Sequence, residues 1–272
     1  MDVFPWLRGI AAALLTCTML TACGNNYDLA DERGRRSRID DANLHLSAGR
    51  CQSALASIWP LYNSTYVDDE VRLITASAYA CEGSFNLLTL AGNLSNVSNP
   101  FQALAKSLSN RPNDGARQAM YRASDVLTRG SAAIGAAQRG ASVNSYMVFV
   151  QLGIIGTIIR NYGSPAIDGS RGAALTYNPT TAPNNPAGEM TDEDACALAA
   201  SVGNILDSFL YSGLTDPSTR AVTNQLQALC ATIPGGYSCS DISQARTACS
   251  SNPANTAATV AAFVMSGVNS AW

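Results

Sequence analysis

The chain has 272 residues, of which 47% are hydrophobic and only 14% are charged, with a net charge of −3. This length is ample for a sizeable core, and the acidic balance provides no basic field that would attract nucleic acid. The single histidine, His45, leaves little room for histidine-based chemistry. Abundant small residues favour closely packed helices joined by polar turns.

Residues 1–22 have the features of a bacterial export signal. Arg8 precedes a short apolar run over 9–15, and the segment leads into Leu20-Thr21-Ala22-Cys23. This run is too short for a membrane span, which needs about 20 apolar residues. The last four residues resemble the lipobox of bacterial lipoproteins, and the resemblance implies cleavage before Cys23 and lipidation of that cysteine. The alternative is an ordinary cleaved signal with a buried cysteine nearby.

Lipidation at Cys23 predicts a membrane anchor, because each buried methylene of an acyl chain contributes about 0.8 kcal/mol. Gly24 follows the cysteine, and in the sorting rules of bacterial lipoproteins this residue favours the outer membrane. We therefore expect an outer-membrane lipoprotein that faces the periplasm. Residues 23–38 are polar and charged, which predicts a solvated tether between the anchor and the folded body.

One residue pattern occurs twice in the region 39–161, with matched positions 34 residues apart. The copies are Ala42-x2-His45-x3-Gly49-x-Cys51-x2-Ala54 and Ala76-x2-Tyr79-x3-Gly83-x-Phe85-x2-Leu88. A period of this length is typical of stacked helical hairpins. The first copy predicts helices over 39–47 and 51–61. The second predicts a helix from Asp69 to Gly83 and a returning helix over 85–94.

The two copies resemble the tetratricopeptide repeat, whose helix pairs carry small residues where Ala42, Gly49 and Ala54 stand. The resemblance implies an all-α fold of helical hairpins that continue into a compact helical array. A weaker third copy begins at Ala123. In this family the first helix of each pair lines a groove that binds a peptide or a partner domain. The corresponding positions here are Asn43, Leu46, Leu73 and Ser77.

Further helices are predicted after the repeats. Asn99-Pro100 is a cap and first-turn pair for a helix that ends near Ser109. The apolar stretch 145–160 predicts a helix buried on all sides, and the alternative is a helix that contacts lipid or lines a ligand pocket. Residues 162–190 predict a long surface loop, and 191–272 predict a helical, cysteine-bearing region that starts with a capping box.

Cysteine usage favours disulfides. Of eight cysteines, two lie within the first 23 residues, which leaves 8 − 2 = 6. An even set in an exported chain favours bridges, whereas a zinc site needs short paired spacings such as C-x2-C, which do not occur. In the predicted helix model, Cys51–Cys81 joins the two repeat copies and Cys196–Cys230 joins the two helices of a later hairpin, which leaves Cys239–Cys249. Other pairings stay open.

Candidate catalytic groups are few. His45 is predicted at an inward helical position without a Ser or Cys partner in a recognisable frame. The acidic run 192–194 offers carboxylates for a cation, but capping of a helix accounts for it better. No catalytic carboxylate pair, phosphate loop, zinc helix motif or nucleophile elbow occurs in the sequence. We therefore predict no enzymatic activity, no cofactor and no metal site.

These features favour a lipid-anchored helical-repeat scaffold or adaptor that binds another cell-envelope protein. The alternative is a small-molecule or lipid-binding lipoprotein similar to the T component of TRAP-type uptake systems. In that alternative, the apolar helix over 145–160 and the loop after it would form a pocket and its lid. Neither hypothesis includes a nucleic-acid partner.

Overall fold

The computed structural model describes residues 28–96, 99–108, 114–128, 134–178, 187–215, 217–231 and 256–272. All regular secondary structure within these ranges is helical, which confirms the predicted all-α class. The leader with Cys23 lies outside the described residues, as do Cys239 and Cys249. The predictions made for those positions stay predictions.

The first helical hairpin consists of α1 (Glu32–Ser47) and α2 (Cys51–Tyr62). Gly49 lies in the turn between them with a φ of 67°. This is the left-handed conformation, which glycine adopts without a steric penalty. The facing sides of the two helices bury a small apolar cluster that includes Ile39 and Ile58.

The first helix begins earlier than predicted. Asp31 is its N-cap, and the Asp31 carboxylate accepts a hydrogen bond from the amide of Arg33. Capping by an acidic side chain stabilises a helix start, so the charged residues after Asp31 are helical. The predicted tether over 23–38 is therefore wrong at its C-terminal end, where α1 has already started.

The second hairpin differs from the predicted pairing. The main neighbours of α3 (Asp69–Glu82) are α2 and α6 (Asp114–Thr128), whereas the sequence predicted a returning helix over 85–94. Gly83 follows α3 and permits the close approach of α6, since a Cβ there would lie 3.1 Å from the carbonyl oxygen of Ala116. Gly83 is therefore needed for space, because its φ of −70° is open to any residue.

Two short helices are inserted between α3 and α6. They are α4 (Leu87–Asn96) and α5 (Pro100–Ser107), which pack against each other. Asn99 caps α5 as predicted, because its side-chain oxygen accepts a hydrogen bond from the amide of Phe101 at 2.9 Å. The helix predicted over 85–94 therefore exists as α4, but it packs on α5 instead of returning along α3.

The longest described helix is α7 (Ala141–Gly163), which runs through the main core and packs against α8 (Asp192–Ser212). It extends beyond the predicted 145–160 and is long and apolar enough to cross a membrane. In this fold, however, 72% of its most apolar window is buried within the protein. Gly156 allows close packing, since a Cβ there would lie 2.7 Å from a methyl group of Leu108.

The C-terminal region adds two further helices. They are α9 (Pro217–Cys230), which packs on α8, and α10 (Thr256–Ala271), which packs on α8 from another side. The chain ends at Trp272, whose indole N–H donates to the carbonyl oxygen of Gly169 at 3.0 Å. This contact ties the C-terminus to the segment that follows α7.

Candidate functional site

Among the described residues, the strongest candidate for a binding site is an open groove of about 770 Å³ in the repeat region. It lies where the beginning of α2, the end of α3 and the beginning of α6 meet. Its volume falls in the range of ligand-binding clefts. The polar side chains along it include Arg50, Gln52, Glu82, Gln118 and Arg122.

A disulfide between Cys51 and Cys81 forms part of the groove and confirms the pairing predicted for these two cysteines. Their Cα atoms lie 5.5 Å apart, which is an ordinary separation for a disulfide. Cys51 is the first residue of α2, and Cys81 lies in the last turn of α3. The bridge therefore fixes the separation of two helix ends that border the groove.

Hydrogen bonding differs between those two helix ends. At the end of α3, the amides of residues 83–85 donate to carbonyl oxygens in the last turn of the helix. At the start of α2, Arg50 provides no side-chain cap, and no described residue accepts from the amides of residues 51–53. The positive end of the α2 dipole is thus open to the groove, which favours an anionic group there.

Two arginines line the groove, and neither forms an ion pair with a carboxylate of the described residues. Arg50 is exposed next to the turn between α1 and α2. Arg122 is exposed on α6, with its guanidinium carbon 6.0 Å from the centre of the Tyr79 ring. Burial raises the pKa of the Tyr79 hydroxyl, and the positive charge of Arg122 opposes that shift. With Glu82, the described residues of the lining carry two positive charges and one negative charge.

The four positions predicted from the repeat family do not line this groove. Asn43 is exposed on α1, and Leu46 packs against the small apolar cluster of the first hairpin. Leu73 packs against the main core, and the Ser77 side chain lies next to the hydroxyl of Tyr146 on α7. The face of α3 that was predicted to bind a partner is therefore covered by another helix of the same chain.

A buried polar cluster forms around Asp194, and its side-chain partners were not predicted from the sequence. The carboxylate is 1% exposed and accepts hydrogen bonds from the hydroxyls of Tyr121 at 2.6 Å and Tyr162 at 2.5 Å. Nε of Arg117 lies 2.9 Å from the same carboxylate and forms an ion pair with it. Burial, reinforced by the neighbouring carboxylate, raises the pKa of the Tyr121 hydroxyl well above 10.0.

The cluster joins three helices, since Arg117 lies on α6, Tyr162 on α7 and Asp194 on α8. Thr191 caps α8 as predicted, because its hydroxyl oxygen accepts from the amide of Asp194 at 3.2 Å. The Asp194 side chain turns inward instead of completing a capping box. The sequence feature that indicates an inward Asp194 is its position on the same helical face as Leu198, which is also buried.

The Asp194 carboxylate is satisfied by other members of the cluster, through two hydroxyl donors and one ion pair. A buried carboxylate that is ion-paired and doubly hydrogen-bonded stabilises a fixed arrangement of the groups around it. We therefore assign the cluster to helix packing, and we assign ligand binding to the groove.

His45 lies beside a carboxylate and a hydroxyl, but the three are not arranged as a nucleophilic triad. Its Nε2 is 3.7 Å from a carboxylate oxygen of Asp41, and the hydroxyl of Ser57 donates to the same oxygen. In a hydrolytic triad the histidine lies between the hydroxyl and the carboxylate, whereas here the carboxylate is in the middle. Within the described ranges, no group of three or more His, Cys, Asp or Glu is placed to hold a metal ion.

Cys196 and Cys230 are both disulfide-bonded. Cys196 is buried in the second turn of α8, and Cys230 is the last residue of α9. Because Cys239 and Cys249 lie outside the described residues, the specific pairs Cys196–Cys230 and Cys239–Cys249 stay predictions.

The described part of the long loop over 162–190 is fixed to the protein. Leu175, Tyr177 and Met190 are buried. The amide of Leu175 donates to the side-chain oxygen of Asn269, and the Asn269 side-chain nitrogen donates back to the Leu175 carbonyl, both at 2.8 Å. The amide of Met190 donates to the carbonyl of Thr176 at 2.8 Å. These contacts fix the two described ends of the loop to the body of the protein.

Comparisons of the chain with protein-family models, with curated proteins and with solved structures give no match. Function therefore has to be inferred from the chain's own residues. The feature best suited to binding is a polar groove with an excess of positive charge, held by the Cys51–Cys81 bridge.

Proposed function

We propose that this protein is a lipid-anchored adaptor of the bacterial envelope, which faces the periplasm and binds another envelope protein. The observation that carries the proposal is the open groove of about 770 Å³ beside the Cys51–Cys81 bridge. A groove built from helix ends and fixed by a covalent bridge is preorganised, so little ordering is needed when a partner binds.

The lipobox-like sequence that ends at Cys23 supports the membrane anchor and the outer-membrane address. A disulfide between Cys51 and Cys81 supports the periplasmic side, because disulfides persist in oxidising compartments. A fully extended chain from Cys23 to the start of α1 at Glu32 reaches only roughly 30 Å. An anchored body would therefore hold its partner close to the membrane surface.

Site-specific photocrosslinking in intact cells tests the binding surface. The full-length protein would carry a photoreactive amino acid in place of Gln52 or Gln118, which line the groove. The matched control places the same amino acid at Arg33, which is exposed near the start of α1. We expect an adduct with an envelope protein from both groove positions and none from the control. Equal adducts from all three positions, or none from the groove, would contradict the proposal.

Replacing Cys23 by Ala tests the anchor separately. We expect Cys23→Ala to abolish incorporation of labelled palmitate and to release the protein from the membrane fraction. The groove adduct should weaken as well, because an unanchored protein loses the high local concentration of membrane partners. Unchanged palmitate labelling of Cys23→Ala would show that the lipid site lies elsewhere.

A further inference from the structure

We propose that the groove beside the Cys51–Cys81 bridge recognises an acidic, extended peptide segment of the partner protein. This inference rests on the proposed adaptor function and identifies the chemistry of the segment that is bound. It is carried by the charges of the groove, by their placement on separate elements and by the open shape of the site.

The arginines of the groove differ from several others in the described chain. Three arginines elsewhere are paired with carboxylates, in Arg36–Glu70, Arg72–Asp69 and Arg117–Asp194. Arg50 and Arg122 have no such partner among the described residues, although the whole chain has more acidic than basic residues. The groove is therefore a locally positive site on an acidic protein, and it is complementary to an acidic ligand.

Arg50 and Arg122 belong to different parts of the groove. Arg50 precedes α2, Arg122 lies on α6, and the end of α3 packs between these two helices. A guanidinium group binds a carboxylate with two parallel hydrogen bonds, so each arginine can take one acidic side chain. Gln52 and Gln118 also line the groove and can bond the peptide backbone between those side chains, since an amide both donates and accepts.

The open shape favours a peptide over a small organic acid. Sites for small ligands usually enclose about 70–90% of the ligand surface, which strips water from its charged groups. An open groove leaves a small acid largely hydrated, and its interaction with an exposed arginine is then weak. An extended segment reaches both arginines at once and covers the length of the groove, so the same exposed charges contribute together.

Fluorescence anisotropy with the full-length protein in detergent tests this inference. The probe is a short labelled peptide of alternating Glu and Ala, and the matched probe replaces each Glu by Lys. We expect the Glu probe to bind, the Lys probe not to bind, and the affinity of the Glu probe to fall as salt is raised. Arg50→Glu and Arg122→Glu should each weaken binding by roughly tenfold, because an attraction becomes a repulsion.

Two further variants make the test independent of misfolding. Glu82→Gln removes the negative charge of the groove lining and should strengthen binding of the Glu probe by roughly threefold. Arg33→Glu makes the same charge change near the start of α1 and should leave binding unchanged. Circular dichroism of each variant checks that its helical content is retained.

The inference is overturned if the Glu and Lys probes bind equally, or if Glu82→Gln weakens binding of the Glu probe. Competition by free succinate as effective as that by unlabelled Glu peptide would also overturn it, in favour of a small-acid site. If photocrosslinks from Gln52 persist while no Glu probe binds, the adaptor function stands and the acidic ligand is wrong. If no groove crosslink forms at all, the adaptor function itself fails.

Discussion

The Ser77 side chain on α3 lies next to the hydroxyl of Tyr146 on α7. Both residues are partly buried, and burial raises the pKa of the Tyr146 hydroxyl. In the repeat family that the sequence resembles, the position of Ser77 faces a groove that is left open for a partner. Here the chain's own central helix covers that part of α3, and the open groove lies at the end of α3 instead.

Leu73 shares this covered face, so its replacement should affect stability. Leu73 packs against the main core, and Leu73→Asp would place a charge in partly buried apolar surroundings. We expect a loss of about 2 kcal/mol in the free energy of unfolding, measured by urea denaturation. Asn43→Asp on exposed α1 is the control and should change stability by less than about 0.5 kcal/mol. A stable Leu73→Asp variant that loses its partner would instead support a binding role for Leu73.

Features controlled by neighbouring residues could be predicted from the sequence. The turn at Gly49 and the caps at Asn99 and Thr191 depend on side chains that act within a few residues of their own position. The Cys51–Cys81 bridge followed because a short antiparallel hairpin determines which helix ends meet. Each of these features has a local cause that a single sequence displays.

Features controlled by distant contacts could not be predicted in the same way. The pairing of α3 with α6 requires that α4 and α5 pack as a separate insertion, and no local pattern indicates that choice. The Asp194 cluster likewise joins side chains from three helices, and a lone acidic residue in a first turn is equally well explained by capping. The groove depends on the pairing of α3 with α6, because α6 supplies one of its walls.

The Asp194 cluster predicts a large loss of stability when its carboxylate is neutralised. Asp194→Asn would remove the carboxylate charge that forms an ion pair with the buried Arg117 guanidinium. We expect a loss of about 3–5 kcal/mol in the free energy of unfolding, measured by urea denaturation at neutral pH. Glu193→Gln is the matched control, because Glu193 is exposed and adjacent in sequence, and its change should stay below about 0.5 kcal/mol. Equal effects of the two substitutions would show that Asp194 acts only through the helix dipole.

The Cys51–Cys81 bridge predicts a loss of stability that is accompanied by a loss of binding. The two cysteines are separated by 30 residues, so the bridge closes a loop of that length in the unfolded chain. Removing the bridge should lower the free energy of unfolding by about 3–4 kcal/mol. The double variant Cys51→Ser with Cys81→Ser should therefore unfold at a lower urea concentration. It should also give weaker photocrosslinks from Gln52, because two helix ends at the groove are no longer fixed.

Peptide mapping under non-reducing conditions provides the control for the bridge. A disulfide-linked pair of peptides containing Cys51 and Cys81 is expected in the native protein and should be absent from the double variant. Free thiols at both positions in protein isolated from the periplasm would contradict the bridge, and full stability of the double variant would show that the groove is held by packing alone.

Buried tyrosines predict that the protein loses stability in alkaline solution. The folded-state pKa values of Tyr121, Tyr146 and Tyr177 are all raised, chiefly by burial, from an ordinary value of 10.0. The unfolded chain therefore releases these protons at a lower pH than the folded chain does. The contribution of these tyrosines to the free energy of unfolding is unchanged below about pH 10. It is lost as the pH rises from there through their folded-state pKa values.

Urea denaturation at a series of pH values tests this dependence. The free energy of unfolding should decline above about pH 10, together with the appearance of tyrosinate absorbance. Tyr121→Phe removes one titrating group and should make that decline shallower, although the lost hydrogen bond to Asp194 lowers stability at neutral pH. Tyr211→Phe is the control, because Tyr211 is 48% exposed, and its decline should match that of the unmodified protein. A decline of the same slope in the Tyr121→Phe variant would mean that a different group controls alkaline unfolding.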